Sequence, residues 1–164
     1  MSVITGIPSG LLFKRLLLGL WVMYFTMVAI TNFVDLMEEF GAFDWTFLNS
    51  DNFSYLESVV KVYDVGEVPT KLLLAGAFVI EVAAAALFWR AIFGYGRKPG
   101  GAQAAFQAVC LGTLVWISFV FMTEFFVAYD AESPFRELLA LMIGTGIAVA
   151  LVPDNTGASA RAKS

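Results

Sequence analysis

Histidine is absent from the 164-residue sequence, and cysteine occurs once, at Cys110. Without histidine the chain supplies no imidazole ligand to haem or zinc and no histidine acid or base. A single cysteine forms no intrachain disulfide and no thiolate cluster, and Cys110 lies in an apolar run, so we interpret it as a packing residue. We therefore expect no catalytic residue, no metal site and no cofactor bound by this chain alone, and we favour a protein that is not an enzyme.

Positive charge is also scarce, with 10 lysine and arginine residues against 14 acidic ones and a net charge of −4. Recognition of phosphate backbones needs a basic patch, whereas these few basic residues flank apolar runs. We therefore expect no nucleic-acid partner. Membrane lipids and other membrane-protein subunits are the expected partners.

Apolar residues are abundant, at 59% of the chain, against about 45–50% in an ordinary soluble domain. They are arranged in four runs near the length of about 20 residues that a bilayer core requires. The sequence predicts an all-α membrane protein, a four-transmembrane-helix bundle in a single domain of residues 1–152. The predicted spans are 14–34, 71–93, 104–128 and 135–152, followed by a flexible cytoplasmic tail, 153–164.

Most of the basic residues fall on one side of the predicted bundle, at the N-terminus, between the second and third spans, and in the tail. Short segments rich in lysine and arginine stay in the cytoplasm. We therefore expect a multi-pass protein of the inner (plasma) membrane with both termini cytoplasmic. The acidic loop between the first two spans is then external.

This first loop carries several aromatic residues, and part of it has helical spacing. Phe53, Leu56, Val60 and Tyr63 would share one face of a short amphipathic helix lying at the membrane interface. Ser54 and Glu57 fit a capping box at its start. Two interpretations are open: the loop caps the bundle, or it forms, together with Trp45, a docking surface for a partner.

Glu81 is the main candidate for chemistry inside the membrane, because it lies about midway between Lys71 and Arg90 at the ends of the second span. A charge at a helix centre costs at least about 2.5–3.5 kcal/mol, so the side chain should face protein. Its small neighbours suit a close helix interface: Ala77, Ala84 and Ala85. Depth suggests three hydrogen-bond partners: Tyr24, Thr113 and Thr145. A neutral structural acid and a proton-relaying or ligand-binding acid are both open.

Two further groups of residues are predicted from helix spacing and depth. A row of small residues on the fourth span is expected to pack inside the bundle: Ala140, Gly144 and Ala148. Polar residues at the outer helix ends are expected to form a structural cluster, with Arg136 paired to Glu124 or Asp35: Asn32, Asp35, Glu124 and Arg136. The aromatic third span leaves contact with a lipid, quinone or pigment open.

Several short segments together resemble a known family. They are Thr31–Asp35, Glu81 in an alanine-rich span that ends Phe88-Trp89-Arg90-Ala91, Gly112 and Trp116 before Glu124-Phe125, and Phe135-Arg136. In this order they resemble the small integral membrane proteins of the domain of unknown function 2165 family. A weaker similarity is to the DoxX-like four-helix membrane proteins. The first resemblance implies a four-helix fold and a polar framework of Glu81, Glu124 and Arg136, and it implies no activity.

The sequence favours one function and leaves a second open. The favoured function is a non-catalytic membrane subunit or accessory protein that packs against or stabilises a larger inner-membrane complex. The alternative is a small transporter, or a component of a proton-linked membrane oxidoreductase, centred on Glu81.

Overall fold

A computed structural model describes residues 9–42, 48 and 50–154, and within these residues the chain is helical and has no strand. The long helices are α1 (Ser9–Glu39), α3 (Glu67–Gly94), α4 (Gly101–Phe125) and α5 (Glu132–Leu151). A short helix, α2 (Asn52–Val60), lies between α1 and α3 and continues as a 3-10 turn, Lys61–Tyr63. A second 3-10 turn, Tyr129–Ala131, precedes α5. Four of the helices in the described part of the chain are long and apolar enough to cross a membrane, which confirms the predicted four-helix membrane bundle.

The four long helices pack in a ring in which α1 contacts α3, α3 contacts α4, α4 contacts α5, and α5 returns to α1. The core between them is strongly aromatic, because Trp21, Phe25, Phe88 and Trp116 are all buried at its centre. The rings of Phe25 and Phe88 stack with centroids 5.6 Å apart. Trp116, on the aromatic third span, is therefore a core residue.

The outward faces of these helices are apolar as well, as large exposed side chains such as Leu72, Val79 and Leu151 show. A helix that is apolar on all sides is typical of a membrane span, because one face packs in protein and the other contacts lipid. Burial in the bundle therefore cannot be inferred from hydrophobic periodicity in these four segments.

The turn between α3 and α4 is tight because glycines allow the two backbones to meet. A Cβ atom on Gly101 would overlap the carbonyl group of Gly94. Gly96 and Gly100 have φ values of +68° and +81°, a region that favours glycine. This turn brings the start of α4 directly onto the end of α3.

We call the end of the bundle that contains this turn the basic end. There Lys14 on α1 forms an ion pair with Asp154 at 2.8 Å, and the Tyr95 hydroxyl lies 3.5 Å from the same carboxylate. The tail was predicted to be flexible from residue 153, but Asp154 is held against α1. Residues 155–164 lie outside the described part of the chain.

The opposite end, which carries α2, we call the acidic end. Lys71 on α3 donates to the backbone carbonyl of Glu39 at 2.7 Å and pairs with Glu67 at 2.5 Å. The contact with Glu39 joins the ends of α1 and α3 at the acidic end. The first helix accordingly extends to Glu39, beyond the predicted end of the span at residue 34.

Candidate functional site

The candidate site is built around Glu81, which lies near the middle of α3, roughly 20 Å from either end of that helix at 1.5 Å per residue. Its side chain is only 2% exposed. Across the interface between α1 and α3, the Asn32 side-chain amide donates from Nδ2 to Glu81 Oε2 at 2.5 Å. Asn32 is also buried, with 4% exposure, so this is an interhelical hydrogen bond inside the bundle.

The Asn32 amide connects Glu81 to the short helix α2. Asn52, the first residue of α2, donates from its side-chain Nδ2 to Asn32 Oδ1 at 2.6 Å. Asn32 therefore uses its N–H group toward Glu81 and its oxygen toward Asn52. A continuous row of polar side chains runs from the middle of α3 to the acidic end of the bundle.

Asp35 completes this arrangement one helical turn above Asn32, on the same face of α1. Its carboxylate accepts hydrogen bonds from the backbone N–H of Asn52 at 2.7 Å and of Ser50 at 3.1 Å. The Ser50 hydroxyl donates to it at 2.9 Å. Asp35 is 3% exposed. A carboxylate at the start of a helix interacts favourably with the positive end of the helix dipole and accepts hydrogen bonds from the free N–H groups there. Asp35 thus caps α2 from a different helix. We call these five residues the polar network: Glu81, Asn32, Asn52, Asp35 and Ser50.

The chemistry of the polar network favours ordering over proton transfer. Amide side chains donate and accept hydrogen bonds, but they do not take up and release protons as a histidine or carboxyl group does. Both connecting groups between Glu81 and α2 are amides, at Asn32 and Asn52. The network therefore holds three helices in register and provides one acid, Glu81, as its single titratable group at mid-span.

The predicted partners of Glu81 are wrong. Thr145 instead accepts a hydrogen bond from the Trp21 indole at 2.9 Å and donates to the Leu141 carbonyl at 3.0 Å. Tyr24 lies near enough to Glu81 for an electrostatic interaction, but no hydrogen bond joins them. Thr113 is half-buried on α4 and makes no side-chain hydrogen bond with any residue in the described part of the chain. The hydrogen-bond partner of Glu81 in the structure is Asn32, on α1.

Of the four residues predicted to form a polar cluster at the outer helix ends, the structure brings two together. Asn32 and Asp35 belong to the polar network, but Arg136 pairs with Glu132 on its own helix, at 2.9 Å and a spacing of four residues. Glu124 is exposed at the end of α4. The predicted pairing of Arg136 with Glu124 or Asp35 is therefore wrong, since Glu132 is one helical turn away and Asp35 is already engaged by α2.

The predicted docking loop mostly faces the bundle. Phe53 packs with Leu36 and Leu74, and Val60 is fully buried. Leu56 is half-buried beside the same cluster, while Tyr63 is exposed and its hydroxyl donates to the Phe125 carbonyl at 2.8 Å. These contacts support the capping interpretation, because the apolar face of α2 is already covered. Trp45 lies outside the described residues.

Small residues pack as expected on α3 but not on α5. Ala84 and Ala85 are buried and Ala77 is half-buried, which agrees with the inward direction of Glu81. On α5, however, Ala140 and Gly144 are exposed and Ala148 is half-buried. A Cβ atom added at Gly144 would meet no other atom within 4 Å. The predicted internal packing row is therefore wrong: α5 turns Met142, Thr145 and Val149 inward.

Sequence reasoning missed Ser50 and Asn52. It assigned the start of α2 to a capping box at Ser54 and Glu57, whereas α2 begins at Asn52 and its N-cap residue is Asp51, in the left-handed region with φ 53°. The available signal was the polar segment from Ser50 to Asn52, since serine, aspartate and asparagine are typical of helix starts.

Comparison with known proteins adds no assignment: no family model, no curated protein and no solved structure matches this chain. Within the described residues, no group of three or more histidine, cysteine, aspartate and glutamate side chains is arranged to hold a metal ion.

Proposed function

We propose that this chain is a non-catalytic membrane subunit that packs against a larger inner-membrane complex through the outward face of α5. The observation that carries the proposal is the row of small residues on that face: Ala140, Gly144 and Ala148. Small residues at four-residue intervals let a second transmembrane helix approach closely, and this is the usual basis of helix association in lipid. Gly144, at the centre of the row, faces open space, because a Cβ atom there would meet no other atom within 4 Å.

The position of α5 in the ring supports the same proposal. It is the least buried of the four spans, because four of its residues are buried, against twelve in α1, eight in α3 and nine in α4. Its inward contacts rest on Met142, Thr145 and Val149. A helix that contributes so little surface to its own bundle has most of its surface free for another membrane protein.

The test compares two glycines that differ only in their place on the molecule. Gly144 on α5 and Gly76 on α3 are both exposed, and a Cβ atom at either would meet nothing within 4 Å. We expect affinity purification of the full chain in a mild detergent to recover a stoichiometric membrane partner, Gly144→Leu to lose it, and Gly76→Leu to keep it. A partner-free wild-type chain across several detergents, or equal loss in both variants, would contradict the proposal.

We further propose that the basic end faces the cytoplasm and the acidic end faces outward, as the lysine and arginine distribution favours. Glu57 is exposed on α2 and Lys98 is exposed at the turn between α3 and α4. In a Cys110→Ala background, a cysteine at position 57 should react with a membrane-impermeant thiol reagent in intact cells, and one at position 98 only after permeabilisation. The reverse pattern would overturn the orientation.

A second candidate function rests on Glu81 itself, an acid buried at mid-span with a polar row leading to one membrane face. It is a small transporter or a proton-linked component, in which Glu81 would exchange a proton or bind a cation. Proton flux into liposomes that contain the purified chain should then fall to the background level in Glu81→Gln. Equal flux in both proteins, or no flux above protein-free liposomes, removes this candidate.

A further inference from the structure

A groove of about 620 Å³ lies between α1 and α3 at the basic end, on the outside of the bundle. Its apolar walls follow one face of each helix: Leu16, Leu20 and Met23 on α1, and Trp89, Ile92 and Phe93 on α3. Gly19 leaves the floor open, and a Cβ atom there would lie 3.4 Å from Ile92 Cδ1. At 1.5 Å per residue, the distance from Leu16 to Met23 along α1 gives this groove a length of roughly 10 Å.

Two arginines stand at the end of this groove, Arg15 and Arg97. Arg15 is held in place because its Nε and Nη2 atoms donate to the Tyr95 carbonyl at 3.2 and 2.7 Å. Its Nη1 group has no protein acceptor among the residues described. The Tyr95 backbone carbonyl therefore holds the Arg15 guanidinium at the groove.

Arg97 is brought to the same place by the turn after α3. Gly96, with φ +68°, packs so closely on α1 that a Cβ atom would collide with the Leu11 side chain. The Arg97 N–H then donates to the Gly94 carbonyl at 3.0 Å. Within the described part of the chain, the Arg97 guanidinium makes no hydrogen bond and no ion pair. The residues that line the groove include two cations and no acid.

The inner end of the groove is aromatic. The Trp89 indole donates to Thr26 Oγ1 at 3.1 Å, and its ring stacks on Phe93 with centroids 5.4 Å apart. Trp89 lies roughly 7 Å from the end of α3 toward the middle of the bundle, at 1.5 Å per residue. A ligand that fills the groove must therefore combine a negative head with an apolar chain.

We propose that this groove binds one anionic phospholipid, with its phosphate between Arg15 and Arg97 and one acyl chain along Gly19 toward Trp89. The lipid is favoured over a peptide or a soluble anion because the groove opens sideways from a membrane span, where acyl chains surround it. A basic pocket between transmembrane helices at one membrane face is the expected recognition of an anionic headgroup. Lys14 is not part of the site, since Asp154 already neutralises it.

The first test is native mass spectrometry of the full chain with equal amounts of phosphatidylglycerol and phosphatidylcholine that carry the same acyl chains. The wild type should retain phosphatidylglycerol selectively. Because each arginine that contacts the headgroup is worth about 1 kcal/mol, or about fivefold, Arg15→Gln with Arg97→Gln should reduce that preference by about twenty-five-fold. The matched control, Arg90→Gln with Lys98→Gln, removes two exposed charges from the same end that do not line the groove. Because salt screens exposed charges that make no direct contact, the preference should stay within about twofold.

The second test separates the acyl chain from the headgroup. Gly19→Leu fills the groove and leaves both arginines in place, whereas Gly76→Leu adds the same side chain to open space on α3. Only Gly19→Leu should lose the phosphatidylglycerol adduct. In a separate measurement, brominated phosphatidylglycerol should quench the tryptophan fluorescence of Trp89, which is the part of the signal that Trp89→Phe removes. The melting temperature of every variant in phosphatidylcholine shows whether it is folded.

Three results would overturn the proposal. The first is equal retention of the two lipids by the wild type, and the second is an unchanged preference in the double arginine variant. The third concerns the source of the phosphate. If inorganic phosphate alone raised the melting temperature as much as phosphatidylglycerol did, and Gly19→Leu kept that effect, the arginines would bind free phosphate and not a lipid.

Discussion

Removing Asn32 is the most informative perturbation of the polar network, because this one amide serves two neighbours. Asn32→Ala leaves Glu81 Oε2 and Asn52 Nδ2 without their hydrogen-bond partners. Glu81 is almost fully buried, so its unsatisfied oxygen costs about 1–3 kcal/mol, while the half-buried Asn52 can be rehydrated at about 0.5–1 kcal/mol. We therefore expect a loss of about 1.5–4 kcal/mol in the free energy of unfolding.

The assay is reversible unfolding of the full chain in mixed micelles, arranged as a double-mutant cycle of Asn32→Ala and Glu81→Ala. Interhelical hydrogen bonds in membranes average about 0.6 kcal/mol of coupling and reach about 1.7. We expect about 1–2 kcal/mol here, because Glu81 accepts no other hydrogen bond within the described residues. Thr31→Ala is the control, since the Thr31 hydroxyl bonds only to its own helix at Val28, and it should change stability by less than about 0.5 kcal/mol.

Two results would refute this reasoning. If Asn32→Ala were as stable as the wild type, the two neighbours would have found other partners and the network would contribute nothing net. If the two substitutions were additive in the cycle, the Asn32 and Glu81 side chains would not interact energetically, whatever their distance.

Three further predictions concern single side chains. Glu81→Gln keeps an acceptor for the Asn32 amide and should leave the melting temperature nearly unchanged, whereas Glu81→Ala should lower it. If the Gln variant were as unstable as the Ala variant, the fold would require the ionised carboxylate. Thr145→Val should cost about 1–3 kcal/mol of unfolding free energy by leaving the buried Trp21 indole unpaired, and Thr145→Ser should restore most of it; equal stability of the two variants would contradict this. Gly101→Ala should cost about 1–3 kcal/mol, because its Cβ meets the backbone of Gly94; unchanged unfolding in mixed micelles would show that the turn can relax.

The sequence predicts the number of spans well because the bilayer sets their length and composition. It also predicts the inward direction of Glu81. A carboxyl group is costly in lipid, and the small neighbours Ala84 and Ala85 suit a close contact with another helix. These inferences depend on local spacing alone. They need no knowledge of which helices are neighbours.

The partner of Glu81 could not be predicted from depth, which was counted from the expected cytoplasmic side of each span. Asn32 was placed at a helix end, yet α1 continues to Glu39 and leaves Asn32 roughly 10 Å inside it at 1.5 Å per residue. Beyond the end of α1 the loop folds back, and the Asn52 N–H group donates to the Asp35 carboxylate. This long-range closure has no local signature.

The direction of the small residues on α5 was missed for a different reason. In water, a small-residue row on an apolar helix would be expected to face the core, but in lipid either face of the helix can be apolar. Spacing shows that Ala140, Gly144 and Ala148 suit a close helix contact. It does not show whether the other helix belongs to the same chain.

The polar network also has a consequence for how the chain is made. All of its members lie at or before Glu81, so the ribosome has synthesised every one of them before the first residue of α4. Asn32 and Glu81 meet only when α1 and α3 pair as a hairpin, and Asn52 can then seat α2 on Asn32. The first half of the protein can thus satisfy its costliest intramembrane groups during insertion. In this order of events α4 and α5 are added to a hairpin that is already closed.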